Sequence, residues 1–217
     1  MATAPILLGH RGARAVRSVP ENTIVSFDLA LEHGCDGVEF DLRLTGCGRA
    51  LVCHNAKVGK ITVARATSRQ LLHFPRFEDV LRHYGHRIFL DIELKVRGLE
   101  SKVLEALRER PLNGNYVISS FLPEVVLELR ARSAAVPTGI ICQKASQLMR
   151  WRELPAQYII IHYSLLTRRL IQLIHDAGKK VFAWTVNDAK SMVRLTNWGV
   201  DGIISDDTKL LAKTLRS

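Results

Sequence analysis

The four cysteines of this 217-residue chain, Cys35, Cys47, Cys53 and Cys142, form no CxxC pair. Without that spacing a zinc ribbon or dithiol redox motif is excluded, and their apolar neighbours predict reduced, partly buried thiols. No run approaches the ~20 apolar residues of a membrane span, so no stable membrane insertion is expected. The first strand candidate begins near residue 5, leaving no room for a secretory leader, and a cytoplasmic location is expected. Aromatics make up 6% of the chain. The basic excess, 31 Lys and Arg against 21 Asp and Glu, is spread along helical segments such as 101–110 and 124–132. With no dense block and no interleaved aromatics, this predicts a solvated basic surface and no nucleic-acid groove. Internal repeats, low-complexity tracts and linkers are absent too, and one domain over residues 1–217 is expected.

What the chain does have is alternation. Apolar, β-branched runs occur at 6–8, 37–44, 88–95, 116–121, 138–142, 158–163, 180–186 and 202–205. Helical spacing separates them, at 22–33 with Gly34 as a stop, in the PRFEDVL stretch, and at 99–110, 123–133, 145–152, 167–177, 188–198 and 207–216. Runs such as 158–162 are apolar on both faces, as parallel strands covered by helices must be. Eight strands alternating with helices predict an α/β fold, the (β/α)8 TIM barrel, near the lower end of its size range. A doubly wound sheet is the alternative, but no GxGxxG follows the first strand. One further run, 50–54, follows a turn at Gly46–Gly48 and predicts a short antiparallel hairpin arm after the second strand.

The first quarter carries the chemistry. His10 and Arg11 stand where the first strand gives way to a loop, in GHRG. In VEFDLRL a period of two sends Glu39, Asp41 and Arg43 to one face, and in IFLDIELK it does the same for Asp91, Glu93 and Lys95. If the hairpin folds back at Thr45 and Arg49, His54 returns to the level of Glu39 and Asp41, at the C-terminal mouth where barrel active sites are built. Glu39, Asp41 and Glu93 would repel one another unless they share a cation, and an all-carboxylate set suits Mg²⁺ or Ca²⁺ better than zinc. Arg11 and Lys95 supply positive charge for a phosphate, and His10 and His54 can move protons. Arg43 either neutralises the carboxylates or serves the site. His162 ends a strand at the mouth, where substrate contact is open, whereas His33, His73, His83, His86 and His175 read as surface or packing residues.

Taken in order, GHRG, PENT, VEFDLRL, VCH, IELK, SSF, FAWTVN and VDGIISD resemble the glycerophosphodiester phosphodiesterases over nearly the whole chain. The resemblance implies a barrel that hydrolyses glycerophosphodiesters, small-molecule substrates, to glycerol 3-phosphate and an alcohol with one divalent cation. Motif by motif it implies His10 and His54 as the acid and base pair, Arg11 and Lys95 on phosphate, and Glu39, Asp41 and Glu93 on metal. Glu21 and Asn22 would support the metal ligands, with Asn22 equally open to a helix N-cap role. Trp184 would be an apolar wall of the site or simply core. Two departures mark the chain: Asn55 stands where the family usually has Asp, and the insertion after His54 is much reduced. A phospholipase D-like lyase acting on lysophospholipid or sphingolipid head groups would use the same constellation. A non-catalytic phosphate-binding barrel would be marked by loss of an acid, base or ligand, and none is lost. Nothing in the pattern sets an oligomeric state.

Overall fold

The structure, a computed structural model, describes residues 4–216. β1 (Ile6–His10), α1 (Ile24–Glu32) and β2 (Gly37–Leu44) lead into an arm that contains β3 (Ala50–Val52), β4 (Lys57–Val58) and β5 (Ile61–Thr62) and ends at α2 (Phe77–Tyr84). Strands and helices then alternate: β6 (Phe89–Leu94), α3 (Glu100–Glu109), β7 (Tyr116–Ser120), α4 (Pro123–Arg132), β8 (Thr138–Cys142), α5 (Ala145–Leu148) and β9 (Tyr158–His162). The last elements are α6 (Arg168–Asp176), β10 (Lys180–Trp184), α7 (Ala189–Trp198), β11 (Gly202–Ser205) and α8 (Thr208–Leu215). β1, β2 and β6 to β11 pair in parallel, and β1 joins both β11 and β2, closing the expected (β/α)8 barrel. β3 pairs antiparallel with β2, Leu42 opposite Val52 and Leu44 opposite Ala50, as the hairpin spacing predicts.

Alternation along the strands sorts charge from core. Val38, Phe40 and Leu42 of β2 and Leu90, Ile92 and Leu94 of β6 pack outward beneath the first four helices. Glu39, Asp41, Asp91 and Glu93 are thereby turned into the barrel. Toward the N-terminal ends of the strands the interior is plugged by Phe89, Tyr158 and Phe182, with ring centroids 5.2, 5.7 and 6.3 Å apart. A Cβ at Gly202 would stand 2.7 Å from the Phe182 ring, so that position stays bare. The plug confines any cavity to the C-terminal half.

Three local expectations need correction. The first helix starts at Ile24, not Asn22, because Thr23 is the cap, its Oγ1 accepting from the Ser26 N–H at 3.2 Å. α5 stops at Leu148 and the chain to 152 continues through a separate 3₁₀ turn at Trp151–Glu153. Cys35, Cys53 and Cys142 are buried free thiols, but Cys47, in the hairpin turn, is exposed. Gly34, at φ +99°, ends α1 as expected. His33 and His175 tie elements together, through Thr208 Oγ1 at 2.7 Å and Asp201 Oδ2 at 2.8 Å. Among the described residues no helix is long and apolar enough to cross a membrane.

Candidate active site

The GHRG stretch turns the chain from β1 into the barrel mouth by close packing. A Cβ on Gly9 would lie 2.7 Å from the Gly12 carbonyl oxygen, and one on Gly12, at φ +84°, would lie 2.4 Å from Ser26 Oγ. Only glycine fits both places. His10 is left as the last residue of β1, and the Arg11 N–H donates to the Glu39 carbonyl at 2.8 Å and to its carboxylate at 3.1 Å.

Across the β2–β6 register, Glu39 faces Asp91 and Asp41 faces Glu93. Carboxylate oxygens of Glu39, Asp41 and Glu93, all buried, lie within 4.8 Å of one another. Burial pushes the Glu39 carboxyl well above its usual range, and the charges of Asp41, Glu93 and Asp91 push it further. Burial also raises Glu93 to about 7, against the pull of Lys95. It raises Asp91 to about 7 as well, although Asp91 accepts from Ser119 Oγ at 2.6 Å. Asp41 goes the other way. Burial opposes its charge, but Lys95 Nζ at 3.3 Å, Arg11 Nε at 3.2 Å and the Asn22 amide at 2.8 Å outweigh it and hold the carboxyl low. Lys95 also pairs with Glu93 at 2.8 Å.

This donor set fits a hard divalent cation. It offers three carboxylates and no thiolate, and the buried Asp41 Oδ1 makes no hydrogen bond, its neighbour being the Lys95 ammonium at 3.3 Å, so it keeps acceptor capacity for a cation. Asn22 holds Asp41 and does not cap the helix. Its backbone is left-handed, at φ +58°, and besides donating to Asp41 it accepts from the Asp41 N–H at 3.3 Å. Glu21 bridges Arg11 at 2.9 Å and Arg14 at 2.7 Å, which orients the Arg11 guanidinium.

The arm delivers the second histidine. Thr45 N–H donates to the Arg49 carbonyl at 3.0 Å and Cys53 N–H to the Asp41 carbonyl at 2.9 Å, so His54 arrives at the carboxylates. Arg43, left open by the sequence, donates Nε to the His54 carbonyl at 2.6 Å and so pins the arm. His54 Nδ1 pairs with Asn55 Oδ1 at 2.9 Å, and burial lowers the His54 pKa below the usual imidazole value.

His10 has a partner that sequence reasoning missed. Its Nδ1 donates to Asp206 Oδ1 at 2.6 Å across a separation of 196 residues. Asp206 also accepts from Arg14 at 3.0 Å and from the Asn187 amide at 2.8 Å. Burial opposes the Asp206 charge, but His10 and these donors outweigh it and hold the carboxyl far below the usual range. An ionised acceptor on Nδ1 fixes the tautomer, with Nε2 on the Glu39 side of the ring, 3.8 Å from its carboxylate. The signal was present: Asp206 and Asn187 follow the C-terminal ends of β11 and β10, in VDGIISD and FAWTVN.

These groups line a cavity of about 340 Å³ with two unlike walls. His10, Arg11, Glu39, His54, Asp91, Glu93 and Lys95 form the charged wall, and Phe121, Ile141, Ile160, Trp184 and Ile204 the apolar one, with Gln143 beside them. Trp184 is thus wall as well as core. Its ring stands edge-on to Phe121 and its buried Nε1–H has no partner. His162 packs on Trp184 from behind and engages Ser164 Oγ at 2.8 Å, outside the cavity lining. A larger groove, about 460 Å³ against α3, is lined by Arg108 and Arg132 but by no carboxylate or histidine.

The profile of the glycerophosphoryl diester phosphodiesterase family matches residues 10–72 and 63–210. The Bacillus subtilis protein YhdW is 31% identical over 237 residues, covering 95% of this chain and 96% of its own. A glycerophosphodiester phosphodiesterase of Caldanaerobacter subterraneus subsp. tengcongensis is 27% identical, covering 97% and 98%. Among solved structures, a phosphodiesterase of Oleispira antarctica in complex with the product sn-glycerol-3-phosphate superposes with a TM-score of 0.86 at 24% identity, covering 99% of this chain and 98% of that one.

Proposed function

As the chain belongs to the glycerophosphoryl diester phosphodiesterase family and is a phosphoric diester hydrolase, we propose that it cleaves glycerophosphodiesters to glycerol 3-phosphate and an alcohol. The observation that carries this reading is the convergence of two histidines, Arg11, Lys95 and the Glu39 and Glu93 carboxylates on one cavity, with the Asp41 carboxylate within 4.8 Å of both. The product held by the Oleispira antarctica relative belongs to the same substrate class. Purified protein given several glycerophosphodiesters should release glycerol 3-phosphate, and chelator should stop it. No release from any diester, with Mg²⁺ or Ca²⁺ supplied, would overturn the proposal.

Each side chain has a task. Glu39, Asp41 and Glu93 would hold one Mg²⁺ or Ca²⁺, which supplies positive charge to the phosphoryl oxygens. Arg11 and Lys95 bind the remaining phosphoryl oxygens, Arg11 as a fork and Lys95 as a point charge. His54 is the base: it is kept neutral by burial, and with Nδ1–H donated to Asn55 its Nε2 lone pair is free to take the proton of the attacking oxygen. His10 is the acid in its doubly protonated form, with Nδ1–H held by the Asp206 carboxylate, and it gives its Nε2 proton to the leaving alkoxide as the new P–O bond forms and the old one breaks. The attacking oxygen comes from water, or from the glycerol 2-hydroxyl with a cyclic phosphate hydrolysed in a second step. A transient cyclic phosphate in ³¹P spectra distinguishes the two routes. Trp184 and the isoleucines cover the carbon skeleton.

Asp206 positions His10. Asp206→Asn should lower kcat by about 10- to 100-fold, in the range of an outer partner of a catalytic group, with KM little changed. It should also shift the basic limb of the pH–rate profile, which a merely structural role would leave in place.

The short arm leaves the leaving-group side open. Discrimination needs walls that touch the group being judged, each methylene giving at most ~200-fold even when enclosed. Choline, ethanolamine and glycerol esters should therefore show similar kcat/KM. A spread beyond about a hundredfold would mean that another loop closes over the alcohol.

A further inference from the structure

Basic residues are spread along the chain, but in one segment no acidic residue offsets them. From Leu42 to Phe77 there is no Asp or Glu, and beyond Arg43, which holds His54, the segment carries Arg49, Lys57, Lys60, Arg65, Arg69 and Arg76. All six are exposed, and among the described residues none lies within ion-pair distance of a carboxylate. Elsewhere on the surface Arg14, Arg82, Arg132 and Arg150 have acidic partners, whereas exposed arginines such as Arg87 and Arg168 share the arm's lack of an ion pair among the described residues but are interspersed with acidic residues in sequence. The arm is no loose tail: Leu51, Cys53, Val63, Ala66 and Leu71 give it an apolar core of its own, so its cations stand on a packed platform.

An apolar feature accompanies the charge. Leu72 is 70% exposed and shares with Arg49, Arg76 and Phe74 the rim of a cavity of about 410 Å³ on the arm. The carboxylate there, Asp79, is occupied by Arg82 at 3.1 Å and by the Arg76 N–H at 3.2 Å. Arg49 and Arg76 beside a projecting leucine, on a segment whose other exposed cations also lack acidic partners, match the chemistry of a lipid surface, anionic head groups above a hydrocarbon boundary. They match nucleic acid less well, because Phe74 is the arm's one Phe, Tyr or Trp up to α2 and is half-buried, leaving no platform for base stacking.

We propose that the outer face of the arm docks this protein peripherally on an anionic phospholipid membrane, basic side chains against head-group phosphates and Leu72 in the interface. His54 rides on the same arm, so docking holds the cavity mouth near the bilayer. Each basic residue at such a surface contributes about fivefold in partition, an attraction that salt screens beyond ~10 Å at 0.1 M.

Co-sedimentation of the full chain with vesicles tests this, using phosphatidylcholine alone and a mixture with about one-third phosphatidylglycerol, the anionic lipid that sets the surface potential. The protein should partition only onto the anionic vesicles and be released as salt rises. The triple variant K57E/K60E/R69E should lose partition by about a hundredfold or more, three such contributions, and Leu72→Asp should weaken it further. Hydrolysis of a water-soluble diester should be unchanged in both, since neither set touches the cavity, and it reports that the variants are folded. Equal binding to neutral vesicles, no release by salt in the wild type, or unchanged partition of the triple variant would overturn the proposal. So would salt- and charge-dependent binding to duplex DNA without binding to vesicles, which would make the face a nucleic-acid surface.

Discussion

His10→Ala and His54→Ala should each lower turnover of the best glycerophosphodiester by ~10²- to 10⁴-fold, the usual cost of removing a general acid or base. Steady-state release of glycerol 3-phosphate under saturating cation measures the loss, and retained cation binding shows that the site still assembles. The two variants should differ in their pH dependence. A base must be deprotonated to act, so the acidic limb of the wild-type profile should follow His54, and burial places that limb below the usual imidazole value. His54→Ala should abolish the limb and His10→Ala should keep it. Near wild-type turnover in both variants would end the assignment.

Glu39→Gln should have the second large effect, on the cation. Titration calorimetry should show affinity reduced by at least about 10- to 100-fold, the loss seen when even an outer partner of a ligand is removed. Equal affinity in both proteins would remove Glu39 from the ligand set. The same chemistry predicts a pH dependence. In chelator, Glu93 and Asp91 hold their protons to about 7 in the folded protein, against about 4 for ordinary carboxyls in the unfolded chain. The folded state binds more protons across that window, so this part of its stability is full below about pH 4 and is lost as the pH rises through about 7. Cation added at about a hundred times its Kd stabilises by about 2.7 kcal/mol, or roughly 5 to 10 °C in Tm for a chain of this size. Its effect should be larger at pH 8 than at pH 6, because at pH 6 the cation must displace protons.

Most of the barrel was legible because its strands repeat one physical rule. Buried parallel strands are apolar on both faces, and the exceptions, Glu39, Asp41, Asp91 and Glu93, mark where an inward face becomes a site. The arm was legible too, since a glycine-flanked turn admits few geometries and its register placed His54 correctly. The two-residue strands Lys57–Val58 and Ile61–Thr62 were not, being too short for any period to appear. Asn22 and Thr23 are both good cap residues, and which one caps depends on the tertiary pull of Asp41 on Asn22. The His10–Asp206 pair was legible only as a carboxylate at a strand end, because the contact itself exists only through pairing of the first strand with the last.

That closure has a consequence for how the protein comes into being. A nascent chain that has emerged only as far as α7 already carries both histidines, Arg11, Lys95 and every proposed cation ligand. It still lacks β11 and Asp206, so β1 has one neighbour in place of two and the His10 ring has no carboxylate to set its tautomer. The full complement of the site is then the last to assemble, completed when the two ends of the chain meet. Until β11 pairs with β1, His10 lacks the carboxylate that positions it, and hydrolysis should be slowed.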